Sequence, residues 1–107
     1  MKESLKKREM IYRVGDLVLD DENHMVTVEG RDVKVTPIEY KILRLLMQEQ
    51  GKAFSVYQIY EAVWHMKAVE VENMIAVHIR HIREKIEPNP RKPQYLKVVR
   101  GEGYKIG

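Results

Sequence analysis

The sequence predicts an α+β domain: an N-terminal antiparallel β-meander, three helices and a C-terminal β-hairpin. Three observations carry that expectation. Short β-like runs broken by turn residues fill positions 12–35, and two later segments open with complete helix-capping signatures. An isoleucine stripe at helical spacing then precedes a proline-rich loop and two short runs around Gly101-Glu102-Gly103.

Composition sets the frame. At 107 residues, with 44% hydrophobic and 33% charged content, the chain is expected to hold one soluble globular domain. It contains no cysteine, which excludes a disulfide framework and a cysteine zinc site. No apolar run approaches the roughly 20 residues a bilayer span needs, and no signal-peptide pattern opens the chain, so the expected compartment is the cytoplasm with no membrane partner. Residues 15–72 carry six Lys/Arg against eleven acids, whereas residues 73–107 carry eight against three. Positive charge gathered in the last third is the footprint expected of a phosphate-binding face.

Residues 1–11 are polar and basic and are assigned to a linker, leaving 12–107 as the domain. Within 12–35, Leu17-Val18-Leu19, Met25-Val26-Thr27-Val28 and Val33-Lys34-Val35 are the strand runs, separated by Asp20–Asn23 and by the turn Glu29–Asp32. These provide a packing platform with no visible chemistry. Thr36 and Glu39 form a capping box, with Pro37 at the first helical position and Val35 and Tyr40 placed as a hydrophobic staple. Ile38, Ile42, Leu45 and Leu46 make the expected buried stripe, and Gly51 the stop. A second helix repeats the device with Ser55 and Gln58, stapled by Phe54 and Ile59, and ends near Trp64.

The third helix, expected over 73–86, organises the rest. Ile75, Ile79, Ile82 and Ile86 fall on one narrow stripe. Asn73, Val77, Arg80, His81 and Glu84 face the other way, with Ala76 and Arg83 at the flank, which are groups suited to base edges and phosphates. The stretch His65–Glu72 before it is longer than a tight helix-turn-helix turn. Pro88, Pro90 and Pro93 exclude helix after it. The closing hairpin pairs Tyr95–Val99 with Tyr104–Ile106 and carries Arg100 at its tip. Sheet, three helices and hairpin in that order make a winged helix-turn-helix, whose third helix enters a major groove and whose wing reaches the neighbouring backbone or minor groove.

Thr36-Pro37-Ile38-Glu39-Tyr40-Lys41-Ile42-Leu43, Val77-His78-Ile79-Arg80-His81-Ile82-Arg83 and Val98-Val99-Arg100-Gly101-Glu102-Gly103-Tyr104 resemble, in order and spacing, the first helix, recognition helix and wing of the OmpR/PhoB-family response-regulator effector domain. The resemblance covers residues 12–107, and Gln58-Ile59-Tyr60-Glu61-Ala62-Val63-Trp64 is most similar to the vancomycin-resistance regulator branch. It implies a transcription factor, not an enzyme, without cofactor or metal. A phosphorylatable receiver domain would precede residue 1, making this chain a fragment, and a sensor histidine kinase would be that domain's partner. The resemblance also implies a homodimer on a direct-repeat operator in double-stranded DNA, and RNA polymerase contact through His65, Met66 and Lys67.

For DNA, the resemblance implies phosphate contacts by Arg80 and Arg83, base reading by His81, a minor-groove arginine at Arg100 and a backbone contact at Tyr104. Ala76 stands where the family often has Asp, and Glu84 where it often has a basic residue. With Asn73, Val77 and Val98 these complete the expected DNA-contacting set. Two rival classes are open from the residues alone. His78 and His81 with Glu84 would be the ligands of a metal site, and a winged helix that binds protein without DNA is the other alternative.

Overall fold

The computed structural model describes residues 10–107. Four strands, β1 (Ile11–Val14), β2 (Leu17–Asp20), β3 (Met25–Val28) and β4 (Arg31–Val33), form one antiparallel sheet in sequence order. Three helices follow, α1 (Pro37–Gln48), α2 (Val56–Trp64) and α3 (Glu72–Ile86), and then the hairpin of β5 (Leu96–Val99) and β6 (Gly103–Ile106). The expected α+β winged helix-turn-helix is the fold found.

The sheet obeys the two-residue period of a half-buried surface. Leu17 pairs with Val28 and Leu19 with Val26, and all four point into the core. Glu29 and Gly30 turn the β3–β4 corner with positive φ at both positions, the geometry a two-residue hairpin loop requires. The meander is displaced from expectation at both ends. A strand not expected from the sequence, β1, begins at Ile11 inside the expected linker, of which residues 1–9 lie outside the described residues. The last strand is Arg31–Val33, not Val33–Val35, because pairing of Val28 with Arg31 starts it directly after the two-residue turn.

Both capping boxes are present in full. The Thr36 hydroxyl accepts from the Glu39 amide at 3.2 Å, while the Glu39 carboxylate accepts from the Thr36 amide at 2.9 Å. Ser55 and Gln58 repeat this at 3.1 and 2.8 Å. The buried face of α1 is broader than the expected stripe. Ile42 and Leu46 are fully buried, but so are Leu43 and Met47, while Ile38 and Leu45 are only half-buried. The helix is covered on more than one side, packing on the sheet and on both other helices. Asp21 links sheet to helix by accepting from the Tyr40 hydroxyl at 2.5 Å and pairing with Arg44 at 2.9 Å. Burial, then the bond to Asp21, pushes the Tyr40 hydroxyl pKa well up, so it stays a donor.

Helix α3 begins at Glu72, one residue before expectation, with no side-chain cap at Val71. Ile75, Ile79, Ile82 and Ile86 are buried as the spacing requires. The wing is joined to the body at Phe54, whose backbone exchanges two hydrogen bonds with Tyr104 at 2.8 and 2.9 Å. Gly103 is the residue that permits this approach, since a Cβ there would lie 1.9 Å from the Phe54 carbonyl oxygen.

Candidate nucleic-acid interface

With the isoleucines committed to the core, the remaining faces of α3 are fixed. Asn73, Ala76, Val77, Arg80 and Glu84 are all exposed and share the outward face. Val77 is 42% exposed, an apolar side chain held in solvent beside Arg80. The helix therefore presents an amide, two small apolar groups, a guanidinium and a carboxylate together.

His81 does not stand fully outward as the helical projection suggests. It is half-buried, and near enough to Glu39 of α1 to act on its carboxyl. Glu39, only 2% exposed, accepts from Lys85 Nζ at 2.5 Å and from the Thr36 amide at 2.9 Å. Burial raises the Glu39 pKa, but the bonds from Lys85 and Thr36 and the charges of Lys85 and His81 outweigh it and hold the carboxyl below its usual range. The flank carrying His81 and Lys85 is thus partly occupied inside the protein. His78 packs its ring 5.8 Å from Trp64, which in turn stacks on Tyr60. Among the described residues, no three His, Asp or Glu side chains converge as metal ligands.

Arg83 and Tyr104 also point within the molecule. Arg83 Nε donates to the Leu96 carbonyl at 3.0 Å, and its guanidinium carbon lies 5.6 Å from the centre of the Tyr104 ring. Arg100 is exposed at the hairpin tip, where Gly101 and Gly103 take positive φ, and Val98 beside it is 65% exposed. The structure therefore brings Asn73, Ala76, Val77, Arg80 and Glu84 onto one face with Arg100 on the adjoining wing. It sets His81, Arg83 and Tyr104 back from it.

One group escaped the sequence reading. Asn89, Pro90 and Arg91 line an open cleft of about 510 Å³ together with Arg80, Arg83 and Glu84. The Asn89 side chain accepts from the Arg91 amide at 3.1 Å and shapes the turn that brings Arg91 there. The prolines mark this segment as a helix breaker; the signal for a basic site is Arg91-Lys92 next to them.

The remaining expected site is the α2–α3 connection, 65–71. His65, Met66 and Lys67 are exposed, and Val69 is too. His65 caps α2 in a left-handed conformation with φ 57°, donating its amide to the Glu61 carbonyl. The connection is pinned where the Ala68 amide reaches the Glu61 carboxylate at 3.1 Å and where the Tyr57 hydroxyl donates to Glu72.

A sheet-backed trio of helices, with a polar exposed face on the third and a basic hairpin beside it, defines a winged-helix DNA-binding domain. Comparison with known proteins narrows the class. The family model described as "Transcriptional regulatory protein, C terminal" matches residues 30–106. The regulatory protein VanRc of Enterococcus gallinarum is 40% identical over 95 residues, covering 89% of this chain and 41% of that protein. The response regulator DrrB of Thermotoga maritima, described as an OmpR/PhoB homologue, superposes with a TM-score of 0.83 at 27% identity, covering 98% of this chain and 48% of DrrB. The DNA-binding domain of Klebsiella pneumoniae RstA, solved in complex with the RstA box, superposes with a TM-score of 0.82 over 91% of this chain and 96% of that one; at 22% identity this likeness carries the fold. This chain belongs to the C-terminal, DNA-binding domain family of OmpR/PhoB-type transcriptional regulators. That is a family of regulators and not an enzyme class. The chain spans less than half the length of the curated relatives it matches, and no helix among its described residues is long and apolar enough to cross a membrane.

Proposed function

We propose that this domain binds duplex DNA sequence-specifically, with α3 in the major groove and the β5–β6 wing at the adjacent minor groove, and thereby controls transcription. The observation that carries the reading is the shared exposed face of Asn73, Ala76, Val77, Arg80 and Glu84 in the basic third of the chain. Each group has a base-edge or phosphate counterpart. Asn73 suits adenine, Ala76 and Val77 suit thymine methyl groups, Arg80 suits guanine or a phosphate, and Glu84 accepts from cytosine. Arg100 suits a narrow minor groove, and Arg91 adds a phosphate contact beside Arg80. His81 retains a place at the edge of the face.

Around this core we place the partners of a two-component system: a receiver domain ahead of the chain and its sensor histidine kinase. A second copy on a direct-repeat operator and RNA polymerase at His65, Met66 and Lys67 complete the set, all in the cytoplasm. Relatives named as response regulators, more than twice as long as the match, support that arrangement.

The test is binding of the 107-residue chain to a random duplex pool across a salt series. Neutralising on the order of five phosphates gives a log–log slope near −4 to −5. A flat salt response would instead identify a protein-binding module.

A further inference from the structure

The resemblance gives Arg83 to a DNA phosphate, yet its contacts lie elsewhere. We infer that Arg83 is a positioning residue that locks the wing to the recognition helix, so that the two reading elements meet DNA at one fixed offset. The inference rests on the DNA-binding reading above.

Arg83 sits in the last turn of α3 and touches both strands of the hairpin. Its Nε holds β5 through the Leu96 carbonyl at 3.0 Å, and its guanidinium lies 5.6 Å from the Tyr104 ring on β6. Its Nη2 is buried and has no hydrogen-bond partner among the described residues, so it faces protein and not a phosphate. That leaves only Nη1 of the three guanidinium nitrogens for any outward role. Leu96 is itself fully buried and is held a second time, since its amide donates to Glu87 Oε2 at 2.8 Å. Both backbone groups of the residue that opens β5 are therefore bound from the end of α3.

The choice of arginine matters. A planar guanidinium donates in its own plane while its face lies against a ring, whereas the ammonium of a lysine is a compact point charge that cannot do both from one place. Arg80, three residues earlier, is exposed and has none of these bonds. One arginine of the helix is thus available to DNA and the other holds the frame. If the frame were loose, the wing could follow Arg100 to several positions along the minor groove. Held, it selects one.

The experiment uses the site selected by the unaltered chain, followed by an A·T tract stepped one base pair at a time away from it. Arg83→Lys and Tyr104→Leu are compared with Arg80→Ala, with thermal melting to confirm folding. The unaltered chain is expected to prefer one spacing by about tenfold. Both Arg83→Lys and Tyr104→Leu should flatten that preference to within about twofold while leaving the salt slope unchanged. Arg80→Ala should keep the spacing preference and reduce the slope by about one. Should Arg83→Lys fail to fold, Tyr104→Leu, which leaves every charge in place, decides the matter. Spacing preference left intact in both Arg83→Lys and Tyr104→Leu, or no spacing preference in the unaltered chain, overturns the inference. Absence of any duplex binding at low salt overturns the DNA-binding reading itself, and the inference with it.

Discussion

The two connections that flank α3 are built in opposite ways. After the helix, Glu87 is buried, and its carboxylate accepts the amides of Gln94, Tyr95 and Leu96 at 2.6 to 3.1 Å. Before the helix, residues 65–71 leave Met66 61% and Val69 66% exposed, and positive φ at His65 and Glu70 shapes the path. One carboxylate closes the first connection from inside, whereas the second is held by buried Val71 at its end, by Ala68 against the core and by hydrogen bonds of exposed polar groups. The lesson is that α3 has a fixed side and an open side. The wing belongs to the fixed side, and a protein partner suits the open one.

The largest effect expected of any change to these connections is at Glu87. Glu87→Ala leaves the buried amides of Tyr95 and Leu96 and the partly buried amide of Gln94 without an acceptor and should cost on the order of 3–5 kcal/mol in denaturant unfolding. A cost under about 1 kcal/mol would mean that water replaces the carboxylate and that the two connections differ less than their bonding suggests. Lys85→Met tests the neighbouring pair on the same side. It leaves Glu39 buried and should destabilise by roughly 1–3 kcal/mol at neutral pH. The sign with pH follows from the depressed Glu39 pKa. Its contribution is present above the ordinary value of 4.5 and is lost as pH falls through the lower folded value. Removing Lys85 should therefore move acid unfolding to higher pH, read by circular dichroism along a titration.

Arg100→Ala should spare folding and cost about 1–2 kcal/mol of DNA affinity, concentrated at A·T-rich flanks, as measured by a binding-site selection. The smallest expected effect is on the open side. Met66→Ala with Lys67→Ala should change stability by less than about 0.5 kcal/mol and leave DNA affinity intact. If the proposed polymerase contact is correct, transcription in a reconstituted assay should nevertheless fall. A parallel fall in affinity would show that the connection is not a separate surface.

The fixed side was the harder one to read in the sequence. Capping boxes at Thr36–Glu39 and Ser55–Gln58 and the isoleucine stripe of α3 are local signals, complete within a few residues, and they placed all three helices. The first strand was hidden because Ile11-Tyr12-Arg13-Val14 is short, alternates weakly and follows a basic run. The burial of Glu39 depends on Lys85, 46 residues later, so a capping residue gave no hint of its second duty. The inward turn of Arg83 depends on a carbonyl whose position is set by how Glu87 gathers the loop, and no spacing rule encodes that. The outward set from Asn73 to Glu84 was legible because periodicity alone assigns it once the isoleucines are buried.

The bridge between Phe54 and Tyr104 carries a consequence for motion. A two-stranded hairpin alone is marginal in water and would open by fraying from its tip. Here the Phe54 backbone lies along the return strand as a short third partner, at the residue just before the cap of α2. The amides of Phe54 and Tyr104 should then exchange with solvent deuterium only when α2 also opens, as one cooperative unit. Exchange at Gly101 and Glu102 should run orders of magnitude faster, which would place the boundary between the moving tip and the anchored base of the wing at Gly103.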